Sequence, residues 1–167
     1  MIESKKAVDN LPLTILVILR VAIGWHFLYE GVTKILNPNW SSIGYLMDSK
    51  GFMSGIYHCL AKNAPVLSFV NFMNEWGLVL IGLGLILGCF TRIAAYSGML
   101  LLAMYYFSHP PLIGLIYALP TEGSYLFVDK VFIEFFSLWV LALISTGKEF
   151  GIDRLIYKSI ERRNHEQ

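Results

Sequence analysis

The residues able to do chemistry are few, and most of them interrupt long apolar runs. Arg20, His26, Glu30 and Lys34 punctuate the first run, Asn71, Asn74 and Glu75 the second, and Lys130 and Glu134 the last. An ionisable group at membrane depth is costly, so it turns toward a bundle interior and marks either a functional site or a structural ion pair. At about 100° per residue the four groups of the first run fall within an arc of roughly 120°, on one helix face. That face must turn from lipid toward the polar residues of the other runs. His26 and Glu30 lie toward the outer end of the first run, while Asn71, Glu75 and Glu134 lie in the outer half or near the middle. They are expected to meet in one outward-opening pocket. Tyr29, Trp25 and Trp76 neighbour these groups. An aromatic wall with a few convergent polar groups suits a flat apolar ligand with polar oxygens, such as a quinone. Glu30 and Glu75 are favoured as functional groups, because acidic side chains at this depth recur in proton and redox pathways. The plainer alternative is that Arg20 with Glu75, or Glu30 with Lys34, only ties helices together.

The elements that must position these residues follow from composition. The chain is 56% hydrophobic and 15% charged, against about 25% charged in an ordinary soluble domain. Its apolar residues gather in runs near the roughly 20 residues needed to cross a bilayer. The runs do not alternate polar and apolar as barrel strands do, so they are helices. The expected fold is an all-α integral membrane bundle of four transmembrane helices in a single domain over residues 1–167. The spans run over about 11–35, 66–87, 92–107 and 129–146, the fourth being short unless it begins near Asp129. The turn from Gly88 to Thr91 makes the second and third spans a tight hairpin. Lys5, Lys6, Arg92, Lys148, Arg154, Lys158, Arg162 and Arg163 put both ends in the cytoplasm by the positive-inside rule, against Lys34, Lys50 and Lys62 in the first long loop.

The loop from Asn37 to Ala64 carries Trp40, Tyr45, Phe52, Ile56, Tyr57 and Leu60, and is expected along the outer interface. The loop from Ser108 to Gly123, with Pro110, Pro111 and Pro120, reads as a cap on the bundle. His109, beside that proline pair, is open to two readings, a proton-transfer group or an interface residue, and the second is favoured. The tail, with Ile152, Leu155, Ile156 and Ile160, reads as a basic amphipathic helix on the inner surface. Gly77, Gly82, Gly84, Gly88, Ala94 and Gly98 read as close-packing surfaces. The first run has the length and charges of a mature helix, not of a cleaved signal peptide. Cys59 and Cys89 fall at opposite faces, so neither a disulfide nor a metal site is expected of them. A net charge of +1 gives no reason to expect a nucleic-acid partner. There is no nucleophile triad, metal-ligand cluster or haem-attachment spacing, and nothing resembles a nucleotide loop.

The stretch LRVAIGWHFLYEGVTKILNPNW, with Arg20, Gly24, Gly31 and Lys34, resembles the opening pattern of the DoxX/DoxD superfamily of small four-helix membrane proteins. Its continuation through Asn37, Pro38, Trp40, Ser41, Gly44 and Tyr45 looks like the DoxD branch. Glu75, Gly82, Gly88, Thr91 and Arg92 are similar to the family's second and third helices, and Gly147, Gly151 and Asp153 to its tail. The resemblance implies a bacterial inner-membrane subunit of a thiosulfate:quinone oxidoreductase type, passing electrons from a sulfur compound to quinone. Quinone, as substrate, is then the one redox group expected on this chain, with no metal, haem or flavin. Glu30, Glu75 and His26 would handle protons as the catalytic set. The binding set would be Arg20, Lys34, Asn71, Trp76, Tyr29, Glu134 and Lys130, with Arg20, Lys34 and Lys130 as cations for thiosulfate. Membrane lipid is the expected surrounding, and a second oxidoreductase subunit and a homo-oligomer stay open as partners. Two rivals remain: a non-enzymatic anchor or assembly partner of a redox complex, and a binder or transporter of a small molecule.

Overall fold

The computed structural model describes residues 2–118, 126–144, 146–155 and 159, with side chains from Leu11 onward except those of Lys148 and Glu149. Among the described residues every regular element is a helix. In order they are α1 (Ile2–Leu36), α2 (Ile43–Met47), α3 (Ser54–Lys62), α4 (Ala64–Leu87), α5 (Thr91–Ser108), α6 (Lys130–Leu143) and α7 (Thr146–Glu149). The four long helices α1, α4, α5 and α6 pack around one apolar core. Phe27 from α1, Leu85 from α4, Leu102 from α5, and Leu138 and Leu141 from α6 fill its centre. The small helices α2 and α3 sit at one end, the cap end, where Leu46, Tyr57 and Ala61 pack against Leu67 and Val70 of α4. The α4–α5 turn and α7 form the other end, the tail end.

Two of these helices are long and apolar enough to cross a membrane: Leu11–Leu36, of mean hydropathy 1.9, and Ala64–Leu87, of mean hydropathy 1.6. Only 22% of either window is buried inside the protein, so their apolar surface faces outward and calls for lipid. Ile18 and Trp25 on α1, Phe69 and Leu80 on α4, Leu100 on α5 and Leu143 on α6 are all exposed. Such a continuous apolar surface is foreign to a protein bathed in water.

The sequence explains the close contact of α1 with α4. A Cβ on Gly82 would stand 2.5 Å from the backbone nitrogen of Leu28 and 2.7 Å from the carbonyl oxygen of Gly24. Only a residue without a side chain lets the two backbones approach that far. α4 stops at Gly88, whose φ of 63° is left-handed, with the Cys89 N–H donating to the Gly84 carbonyl. That is the glycine C-cap that ends many helices.

Three boundaries differ from those expected. α1 continues back to Ile2, accommodating Pro12. α6 starts at Lys130, because the Asp129 carboxylate accepts from the N–H of Phe132 and caps the helix. It ends at Leu143, short of 146, because the chain goes extended at Ile144 and turns inward to bury Thr146. The amphipathic tail expected from Ile152 onward lies mostly outside the described residues.

Candidate functional site

Polar side chains gather at the two ends of the bundle, and the two gatherings are built differently. At the tail end, Arg20 of α1 is only 2% exposed. Its Nη2 donates to the carbonyl of Phe150 at 2.6 Å and its Nη1 to the hydroxyl of Thr146 at 3.3 Å. Asp153 lies close enough to act on its charge. The Asp153 carboxylate accepts in turn from the Phe90 N–H at 2.7 Å, the Thr91 N–H at 3.0 Å and the Thr91 hydroxyl at 2.8 Å. These donors are the N-terminus of α5, which has no cap from its own side chains. A carboxylate there meets both the unpaired N–H groups and the positive end of the helix dipole. Gly151 lies against Gly88, where a Cβ would meet its Cα at 2.8 Å. The result is a latch that ties α1, the α4–α5 turn and the tail together.

At the cap end lies a cavity of about 450 Å³ enclosed by α1, α4, α5, α6 and the loop that includes α2. α1 contributes His26, Phe27, Glu30 and Lys34, which recur every three or four residues and so share a face. Lys34 Nζ donates to Asn74 Oδ1 at 3.0 Å and lies 3.4 Å from Glu30 Oε2. It stands 5.3 Å from the ring centre of Trp40 and 5.7 Å from that of Tyr105, within cation–π range. The Asn74 amide donates to the Tyr105 hydroxyl at 2.6 Å. Across the cavity, His26 Nδ1 and Glu134 Oε1 are 2.9 Å apart. The contact is a hydrogen bond in which Nδ1–H donates when the carboxylate is ionised.

The loop between α1 and α4 roofs the cavity with Trp40, Ser41, Ser42, Gly44 and Tyr45. Asn71 pins that roof: its Oδ1 accepts from the Ser42 N–H at 3.0 Å and from the Ser42 hydroxyl at 2.6 Å. Tyr45 donates to the Tyr105 carbonyl at 3.3 Å, and Ser49 to the Ser108 carbonyl at 2.8 Å. A second layer covers the first. The His109 ring stacks on Tyr45 at 4.0 Å between centres and lies 4.7 Å from Tyr117. Asp48 Oδ2 accepts from the Ala118 N–H at 2.8 Å and stands 3.8 Å from His109 Nε2. Burial holds the His109 ring below its ordinary 6.5, against the opposite pull of Asp48.

The geometry sorts the residues singled out by sequence. His26, Glu30, Lys34, Lys130 and Glu134 line the cavity together. Asn71 stands behind its roof. Glu75 is not among the lining residues, although its charge acts on Lys34. Tyr29 and Trp76, like Trp25, are exposed on the outer faces of α1 and α4 and do not wall the cavity. Arg20 departs furthest, for it joins the latch at the tail end, and the tie to Glu75 is replaced by Thr146 and Phe150. The Glu30–Lys34 pair is formed. Asn74, named among the polar residues of the second run but not in the binding set, completes the cavity together with Tyr105 and Tyr45. Tyr105 gave a signal, being a hydroxyl inside an apolar run.

A family model described as DoxX matches residues 15–110, from α1 through α5. The chain belongs to the DoxX family. It is a membrane protein, as the outward apolar faces of α1 and α4 require. Neither a curated protein nor a solved structure matches this DoxX chain significantly. The matched stretch holds Arg20 of the latch together with Glu30, Lys34 and Asn74 of the cavity, while Lys130, Glu134 and Asp153 come from beyond it.

Proposed function

We propose that this DoxX protein is the quinone-binding membrane subunit of an oxidoreductase. In this reading it crosses the bacterial inner membrane four times, with α1, α4, α5 and α6, and keeps both ends in the cytoplasm. Four crossings return the chain to its starting side, which gathers Lys5, Lys6, Arg92 and Arg154 there as the positive-inside rule asks. The cavity then lies in the outer half of the bundle.

The observation that carries the reading is the composition of that cavity. Its volume of about 450 Å³ falls within the roughly 300–1,000 Å³ of small-molecule sites. Leu78, Leu102, Val131 and the rings of Trp40 and Tyr105 give it apolar walls, with Lys34 on one side and the His26–Glu134 pair on the other. That suits a flat ring with an oxygen at each end. Lys34, steadied by Asn74, donates to one ring oxygen. Glu30 and His26 relay the two protons that accompany the two electrons of quinone reduction, each taking up a proton from the aqueous side before passing it to a ring oxygen, with Glu134 holding the His26 ring in place through Nδ1. Glu75 acts from outside the cavity through its charge on Lys34.

The electrons come from a donor such as thiosulfate or another sulfur compound. A dianion is a poor occupant of this cavity, because the two lysines are matched by Glu30 and Glu134. The donor is therefore oxidised outside it, on a second subunit. The transporter alternative is disfavoured because Ile23, Phe27, Leu85 and Leu138 fill the bundle beneath the cavity.

The test is quinone binding and quinone reduction by the purified protein in lipid, with a sulfur donor. Lys34→Gln is expected to weaken binding of a quinone analogue tenfold or more, about 1.4 kcal/mol. Glu30→Gln is expected to keep binding and lose turnover, and Glu75→Gln to change affinity through Lys34. Failure of the wild-type protein to bind any quinone would sink the reading.

A further inference from the structure

We propose that the cavity takes its ligand from the membrane and not from water, through the seam between α1 and α6. The ligand is then an amphiphile, with a polar ring in the cavity and a long apolar tail left lying along that seam. This deepens the quinone reading by naming the route and the tail.

Three observations carry it. The first is that the way to water is roofed. Trp40, Ser42 and Tyr45 lie over the cavity, and Asn71, Tyr105 and Ser108 hold the roof down through hydrogen bonds. The second is that the helix seams are unequal. α1 meets α4 backbone to backbone at Gly82, and α5 meets α6 where Gly98 receives Leu138. α1 and α6, by contrast, touch sparsely, and at the level of the cavity the His26–Glu134 hydrogen bond bridges the gap.

The third observation is the exposure of charge along that gap. The side chain of His26 is 46% exposed and that of Glu30 is 49% exposed, although both line the cavity. His26 lies ten residues below Leu36, about 15 Å down the helix axis. Half-exposed ionisable groups at that depth are costly in hydrocarbon unless something covers them. Ala22, His26 and Glu30 are spaced four apart and form one edge of the gap. A ligand whose polar ring meets Glu30 and His26 and whose tail lies over Ala22 supplies the cover. A second effect follows: the ligand must part His26 from Glu134 as it passes, and they close behind its ring.

The experiment reads accessibility and needs no bound quinone. In the full-length protein with Cys59→Ser and Cys89→Ser, a cysteine is placed in the cavity wall by Leu78→Cys, and in a second variant by Leu102→Cys. Each is reacted in lipid bilayers with a long-chain alkyl maleimide dissolved in the membrane, and with a charged maleimide confined to water. The alkyl reagent is expected to react at least tenfold faster. Ala22→Trp, which fills the seam one turn below His26, is expected to slow it about tenfold. Three results would overturn the proposal: a charged reagent that reacts as fast, an alkyl rate indifferent to Ala22→Trp, or no reaction of either cysteine in the folded protein. Protection by a short-tailed quinone is scored separately. A membrane-side route without quinone protection keeps the route and removes the quinone.

Discussion

Arg20 and Lys34 are two cations on one helix, 14 residues and about 21 Å apart, and their surroundings differ in kind. Arg20 is sealed into the latch, with neutral acceptors on Nη1 and Nη2 and the Asp153 carboxylate near enough to act on its charge. Lys34 is held by an amide, a half-exposed carboxylate and two aromatic faces, all of them lining the cavity. The first arrangement is closed and leaves no room for a ligand. The second orients a charge and leaves space in front of it. A buried cation therefore says little about function until its partners are known. A network locked between packed backbones points to stability, and a poised one beside empty volume points to a site.

The largest expected effect would break this contrast if it failed. Arg20→Leu should lower stability by about 3 kcal/mol, because it removes two charge-assisted bonds and strands their acceptors. Thermal unfolding in lipid nanodiscs reads this. Lys34→Gln should do the reverse, costing under about 1 kcal/mol of stability while binding of the quinone analogue falls. Equal stability losses in the two variants would erase the distinction between latch and site.

Much of this contrast could be read beforehand, and the rest could not, for a physical reason. Angular position on a helix is local, so the sequence alone puts His26, Glu30 and Lys34 on one face, and all three line the cavity. Depth along the axis is also countable, yet grouping by angle put Arg20 with them, although 14 residues of rise carry it to the other end. Asn74, Glu75 and Trp76 are consecutive and point about 100° apart; which of them meets α1 depends on how α4 is rotated, a tertiary matter. The roof was harder still, since it rests on Asn71 meeting Ser42 and Tyr45 meeting Tyr105 across long loops. Gly147, Gly151 and Asp153 stood out through the resemblance, but that Asp153 caps α5 is invisible until the tail is folded back.

A smaller effect sharpens the description of the roof. Burial lowers the affinity of His109 for its proton, and the groups facing it are Asp48, Lys50, Tyr45 and Tyr117. Because the folded value lies below the unfolded 6.5, the linked stability is fully present above 6.5 and is lost as pH falls through the folded value. The unfolding temperature should therefore drop from about pH 8 to about pH 5, and drop less in His109→Gln. The smallest effects belong to the outward aromatics. Tyr29, 60% exposed, and Trp76, 46% exposed, should tolerate replacement by Phe within about 0.5 kcal/mol and without change in quinone affinity, as titration of each variant would reveal.

The cap that Asp153 places on α5 also has a meaning for synthesis. Arg20 and Thr146 are 126 residues apart in the chain, so α1 emerges from the ribosome long before the groups that neutralise its guanidinium exist. The α4–α5 turn likewise waits until Asp153 has been made before its amides are occupied. Closure at this end therefore follows the synthesis of all four long helices, and a polypeptide broken off before Thr146 lacks both hydrogen-bond acceptors of that arginine. Such a fragment carries a buried cation without its acceptors, and the latch joins the earliest long helix to segments made more than a hundred residues later.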